Sequence, residues 1–230
     1  MVNPQNGACR LVILISGRGS NMQSIVKSIA RESLDAEVCA VISNRADAAG
    51  LEWAASRGIA TQVVPHREYP SRQDFDGALA QVIDAYEPHY VLLAGFMRVL
   101  TPAFVERYEG RLINIHPSLL PSFPGLHTHQ QALTDGVQWH GCTVHFVTAK
   151  LDHGPIVAQG IVPVLHNDTP ETLAARLLSV EHAIYVQVVR WLAEGRVSLD
   201  ENQIVRVAGV ATRAFLPDGS VTSTDGKEQS

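Results

Sequence analysis

Short apolar runs alternate with amphipathic stretches through the first half of the chain. The runs cover residues 11–15, 37–42, 61–64, 90–94 and 112–115, and the stretches between them cover 22–30, 46–56, 72–86 and 102–107. Each run is too short for a typical helix and most are bounded by turn residues, so the runs read as strands and the stretches as helices. Such alternation predicts right-handed βαβ units around a buried parallel sheet.

From His140 the pattern changes. Two longer strand-like segments, 141–148 and 156–164, are separated by the turn-prone Asp152-His153-Gly154-Pro155. A short link between strands favours an antiparallel pair. Asp168-Thr169-Pro170-Glu171-Thr172 then supplies an N-cap and a proline in the first turn of a long amphipathic helix running toward Trp191 and Glu194. The expected fold class is α/β. It is a Rossmann-like open twisted sheet, mainly parallel with an antiparallel C-terminal portion, and helices cover both faces. Residues 1–230 read as one domain, with about 1–9 and the polar 217–230 as mobile termini.

Composition narrows the partners. A net charge of −5 and a pI near 6.0 provide no broad basic field for nucleic acid or an anionic membrane. Cys9, Cys39 and Cys142 are odd in number and widely spaced, which suits a reducing cytosol better than a disulfide framework. The first residues lack a basic segment followed by an apolar one, and no apolar run approaches a membrane span. A soluble, cytoplasmic protein is expected.

The candidate chemistry lies where strands end. Ser16-Gly17-Arg18-Gly19-Ser20-Asn21 joins the first strand to a helix, and its small residues let backbone amides approach an anion at the helix N-terminus. It lacks both the third glycine of a dinucleotide fingerprint and a Gly-Lys-Ser/Thr sequence, and a plain tight turn is the alternative. Asn114 and His116 have the i,i+2 spacing that turns both toward one side of a strand, and Pro117 ends that strand. Asp152 is either a turn residue or a carboxylate that orients His116 and favours its charged form. An amide, an imidazole and a carboxylate together polarise a carbonyl, hold an oxyanion and move a proton. His127, His129, His140 and His145 raise a zinc reading, but histidine richness is not coordination geometry; an inward, hydrogen-bonded His145 is the simpler account.

Taken together, these segments resemble the phosphoribosylglycinamide formyltransferase family of the folate-dependent formyltransferases. The resemblance is carried by Ser-Gly-Arg-Gly-Ser-Asn at 16–21, Leu-Ala-Gly-Phe-Met-Arg at 93–98 and Asn-Ile-His-Pro-Ser-Leu-Leu-Pro at 114–121. Pro-Gly-Leu-His-Thr-His at 124–129, His-Gly-Cys-Thr-Val-His-Phe-Val at 140–147 and Leu-Asp-His-Gly-Pro at 151–155 extend it. It implies formyl transfer from 10-formyltetrahydrofolate to the amine of glycinamide ribonucleotide in purine biosynthesis, with no metal, by a monomer or homodimer.

By the same resemblance Asn114, His116 and Asp152 are catalytic. Gly19, Ser20 and Asn21 hold the substrate phosphate, and Glu181 contacts the ribose or glycinamide part. Arg72, Met97, Arg98, Val99, Leu100 and Asn114, with Thr148, Ala149, Lys150, Leu151 and Asp152, frame the folate. Ser122 and Phe123 stand where relatives often carry Lys and Tyr, and His153 replaces a small residue. Three alternatives remain at this point: hydrolysis of the same folate, a noncatalytic nucleotide or folate sensor, and a zinc hydrolase.

Overall fold

The computed structural model describes residues 7–218. The expected strands appear as β1 (Cys9–Ile15), β2 (Ala36–Ser43), β3 (Ala60–Val63), β4 (Tyr90–Leu93), β5 (Leu112–His116), β6 (Trp139–Phe146) and β7 (Ile156–Pro163). The expected helices are α1 (Ser20–Glu32), α2 (Ala49–Ala55), α3 (Arg72–Asp84) and α4 (Pro102–Arg107). Hydrophobic patterning did not single out α5 (Thr128–Thr134), a helix of only two turns. After α6 (Pro170–Ala193) come β8 (Val197–Leu199), β9 (Val205–Val207) and β10 (Ala214–Phe215), all too short to carry a periodic signal.

Among the described residues eight strands form one sheet in the order β10-β7-β6-β5-β4-β1-β2-β3, and β8 pairs only with β9. Strands β1 to β5 are parallel, and β6 is antiparallel to both β5 and β7. The outer strand β10 then runs parallel to β7. This is the mixed α/β sheet that the alternating and then lengthened strand pattern implies.

Strand alternation sorts the core into two layers. Leu11, Ile13 and Ile15 pack with α1, α2 and α6 on one face, while Val12 and Leu14 pack with α3 and α4 on the other. The long helix α6 starts at a capping box: the Thr169 side chain accepts from the Thr172 amide, and Pro170 sits in the first turn. Asp168 is bound by Arg176, which holds its carboxyl well below the usual carboxylate range. Gly160 brings α6 close to β7, since a Cβ there would stand 2.4 Å from Val180 Cγ1.

Cys9 is wholly buried as the first residue of β1. Of the segments read as mobile termini, 1–6 and 219–230 lie outside the described residues. Among the described residues no helix is long and apolar enough to cross a membrane.

Candidate active site

β5 ends at the carboxyl edge of the sheet and places two polar side chains on one face. Ile113 and Ile115 enter the core beneath α6, so Asn114 and His116 turn to the opposite side with Leu112. The antiparallel neighbour β6 sets His145 directly across from Asn114, and Thr143 across from His116. Pro117 and the following loop, which contains a cis Leu120–Pro121 bond, then leave the sheet.

The turn after β6 returns Asp152 to this edge. Asp152 adopts a left-handed backbone (φ 50°), a conformation that Asp tolerates better than most residues. Its Oδ2 lies 3.6 Å from His116 Nδ1, and both side chains are only 7% exposed. That separation is longer than a well-made hydrogen bond. Asp152 Oδ2 accepts from the Gly125 amide at 2.8 Å, and His116 Nε2 is 3.0 Å from the Phe123 carbonyl oxygen. One loop therefore grips both the imidazole and the carboxylate.

His145 decides how Asn114 is oriented. Its Nδ1 lies 2.9 Å from the Phe146 carbonyl and so carries the proton, leaving Nε2 as an acceptor. Asn114 Nδ2 approaches that nitrogen at 3.3 Å, which turns the amide nitrogen inward and leaves its second hydrogen for another acceptor. Burial depresses His145, and nearby His116 adds to the effect. Burial also depresses His129 and drives His140 down to about 4; these two rings meet at 3.1 Å. Three surrounding histidines are thus held neutral, while His116 faces the carboxylate.

The remaining predicted residues fall into two groups. Gly19 caps α1 in a left-handed conformation (φ 65°), directing the chain through Ser20 and Asn21 into the first helical turn, which holds no acidic side chain. Asn21 Nδ2 donates to Glu181 Oε2 at 2.9 Å, joining the first turn of α1 to α6, and burial raises Glu181 above its ordinary value.

In the second group, Arg72 donates to the Val99 and Leu100 carbonyls and so pins the segment after β4. The Arg98 guanidinium stacks 4.6 Å over Phe75. Met97, Val99 and Leu151 stay exposed, with Met97 at 69%. Thr148 Oγ1 donates to the Lys150 carbonyl, which folds the loop through Ala149 and Leu151 toward Asp152. Among the described residues no group of three His, Cys, Asp or Glu side chains could hold a metal ion.

Sequence reasoning expected an inward, hydrogen-bonded His145 but gave it no part in orienting Asn114, and it left the Phe123 carbonyl and the Gly125 amide without a role. Backbone groups leave no signature in side-chain identity. The pairing of His145 with Asn114 depends on a β5–β6 register set across a long connection.

An amide, an imidazole and a carboxylate gathered at the carboxyl edge of an open α/β sheet suit acyl transfer, and residues 9–189 match the formyl transferase family. The phosphoribosylglycinamide formyltransferase of Escherichia coli (strain K12) is 51% identical over 192 residues, covering 84% of this chain and 91% of that protein. The trifunctional purine biosynthetic protein adenosine-3 of Homo sapiens is 45% identical over 193 residues, which are 84% of this chain but 19% of that longer protein. The phosphoribosylglycinamide formyltransferase structure from Coxiella burnetii superposes with a TM-score of 0.84 at 48% identity, covering 90% of this chain and 99% of that one. The chain belongs to the phosphoribosylglycinamide formyltransferase family.

Proposed function

We propose that this protein transfers the formyl group of 10-formyltetrahydrofolate to the amine of glycinamide ribonucleotide in purine biosynthesis. The observation that carries the site assignment is the convergence of Asn114, His116 and Asp152 at one sheet edge, with His116 and Asp152 3.6 Å apart. The neutral amine attacks the formyl carbon, making a new C–N bond and placing negative charge on the formyl oxygen. The inward-tied amide of Asn114 and the charged ring of His116 stabilise that oxygen more in the transition state than in the ground state. For Nε2 of His116 to donate to it, the Phe123 carbonyl must give way. Breaking the bond to the folate nitrogen completes transfer, as the amine loses a proton and the folate nitrogen gains one.

The backbone of Gly19, Ser20 and Asn21 holds the ribonucleotide phosphate at the N-terminus of α1. Glu181, tied to Asn21, contacts the ribose or glycinamide. Arg72, Met97, Arg98, Val99 and Leu100 frame the folate from one side, with Asn114 at the reacting end. Thr148, Ala149, Lys150, Leu151 and Asp152 frame it from the other. No metal enters these steps, since the donor is already activated and the protein supplies position and electrostatics. The protein acts as a monomer or homodimer in the reducing cytosol, where Cys9, Cys39 and Cys142 stay unpaired.

The deciding experiment measures release of tetrahydrofolate with and without glycinamide ribonucleotide. Release that depends on the ribonucleotide, with formylated product in equal amount, is expected. Equal release without it would make the protein a hydrolase.

A further inference from the structure

Residues 94–101, between β4 and α4, belong to neither a strand nor a helix, so their backbone groups must find partners outside the regular ladders. Phe96 and Leu100 are buried in the core layer that α3 covers, whereas Met97 and Val99 are 69% and 53% exposed. The segment therefore turns two side chains of the folate frame outward on a strip of irregular backbone. Side chains from other elements fix that strip.

One end is tied at Met97, whose amide donates to Ser16 Oγ at 2.8 Å. The other end is tied at Thr101, whose amide donates to Asp76 Oδ2 at 2.6 Å. Between them Arg72 Nη2 donates to the Val99 and Leu100 carbonyls. Arg72 and Asp76 are four residues apart on α3, so they lie on one face of that helix. The cation takes carbonyl oxygens and the carboxylate takes an amide hydrogen, which matches each charge to the polarity of the group it binds. Thr101 passes the hold on to α4, since its Oγ1 accepts from the Phe104 amide and caps that helix.

Packing alone does not account for Asp76. It is 3% exposed, and its Oδ1 is buried with no hydrogen-bond partner among the described residues. A buried carboxylate with an unused oxygen destabilises a fold relative to an apolar side chain of similar shape. What the carboxylate does achieve is to hold the Thr101 amide. We propose that Asp76 is a positioning residue for the formyl donor, setting the backbone of residues 97–101 so that Met97, Arg98, Val99 and Leu100 meet the folate. The inference rests on reading those four residues as part of the folate frame. Asp76 itself lies buried under the strip and acts on the donor only through that backbone.

The test measures steady-state formyl transfer with each substrate varied in turn, in the unmodified protein, Asp76→Ala and Asp76→Asn, together with amide hydrogen exchange. Asp76→Ala leaves the Thr101 amide buried without its acceptor. KM for 10-formyltetrahydrofolate is expected to rise about tenfold, while KM for glycinamide ribonucleotide stays within about twofold and kcat falls by about threefold or less. Exchange at the amides of Arg98, Val99, Leu100 and Thr101 should quicken, and exchange in β1 and β4 should stay as slow as before. Asp76→Asn keeps an oxygen for the Thr101 amide, so it should return the donor KM to within about threefold of the unmodified value. Asp76→Leu has the branching of Asp without an acceptor, and it carries the expectation of the alanine variant if the alanine cavity prevents folding.

A donor KM left unchanged by Asp76→Ala would overturn the positioning role and leave formyl transfer standing. So would equal rises in both KM values, which mark a general loss of structure, or equal donor KM values in the alanine and asparagine variants. Absence of ribonucleotide-dependent transfer by the unmodified protein would instead overturn the functional reading, and the role of Asp76 with it.

Discussion

At the scale of single residues, the separation of His116 from Asp152 makes the carboxylate an electrostatic partner rather than a proton relay. Asp152→Asn keeps the shape and the Gly125 contact while removing the charge. A fall in kcat of about 100-fold, equivalent to roughly 2.7 kcal/mol, with a smaller change in KM for either substrate, is expected in steady-state kinetics. Near-normal kcat with an unaltered pH profile would exclude Asp152 from catalysis. His145 acts one step further out, by orienting the Asn114 amide. His145→Phe should lower kcat by about tenfold with little effect on KM, since it removes the acceptor and leaves both substrate contacts in place. His145→Gln, which retains an acceptor, should recover part of the loss, whereas equal activity of the two variants would rule out the positioning role.

At the scale of elements, catalytic placement depends on how tightly the turn after β6 closes. Gly154 sits so close to β6 that a Cβ would come within 1.8 Å of the Phe146 carbonyl oxygen, while the neighbouring Pro155 carbonyl accepts from the Phe146 amide at 2.9 Å. Gly154→Ala must push the turn outward, and Asp152 moves with it. Displacement on the ångström scale costs on the order of 100-fold in rate, so a large loss of kcat with a native circular dichroism spectrum is expected. Full activity would show that the turn absorbs a methyl group without moving Asp152. Gly160 meets a comparable limit at β7, but its neighbours Val180, Cys142 and Phe215 are core rather than site.

At the scale of the whole molecule, buried histidines couple stability to pH. His140 is held down to about 4 by burial first and by His129 next, whereas an unfolded histidine titrates near 6.5. Between these values the unfolded chain binds a proton that the folded chain refuses, so stability declines as pH falls through that window. The full shift corresponds to roughly 3 kcal/mol, and His129, depressed in the same direction, adds to it. Urea unfolding from pH 7.5 down to pH 4.5 should show this decline, and His140→Gln should flatten it. An equally steep decline in the variant would place the proton uptake elsewhere.

The sequence by itself determined the parallel half of the sheet, because alternating apolar runs of strand length leave few other ways to bury Leu11, Ile13, Val91 and Ile113. It also determined that Asn114 and His116 share a face, since strand periodicity is a local property. The motifs at 16–21, 114–121 and 151–155 carried the family. Tertiary structure alone decided that Asp152 comes back to His116, that His145 stands opposite Asn114, and that Phe123 and Gly125 cover the pair with backbone atoms. Those relations rest on register and on loop closure across tens of residues. No local preference encodes them, because they are fixed only when the strands pack and the buried polar groups find partners.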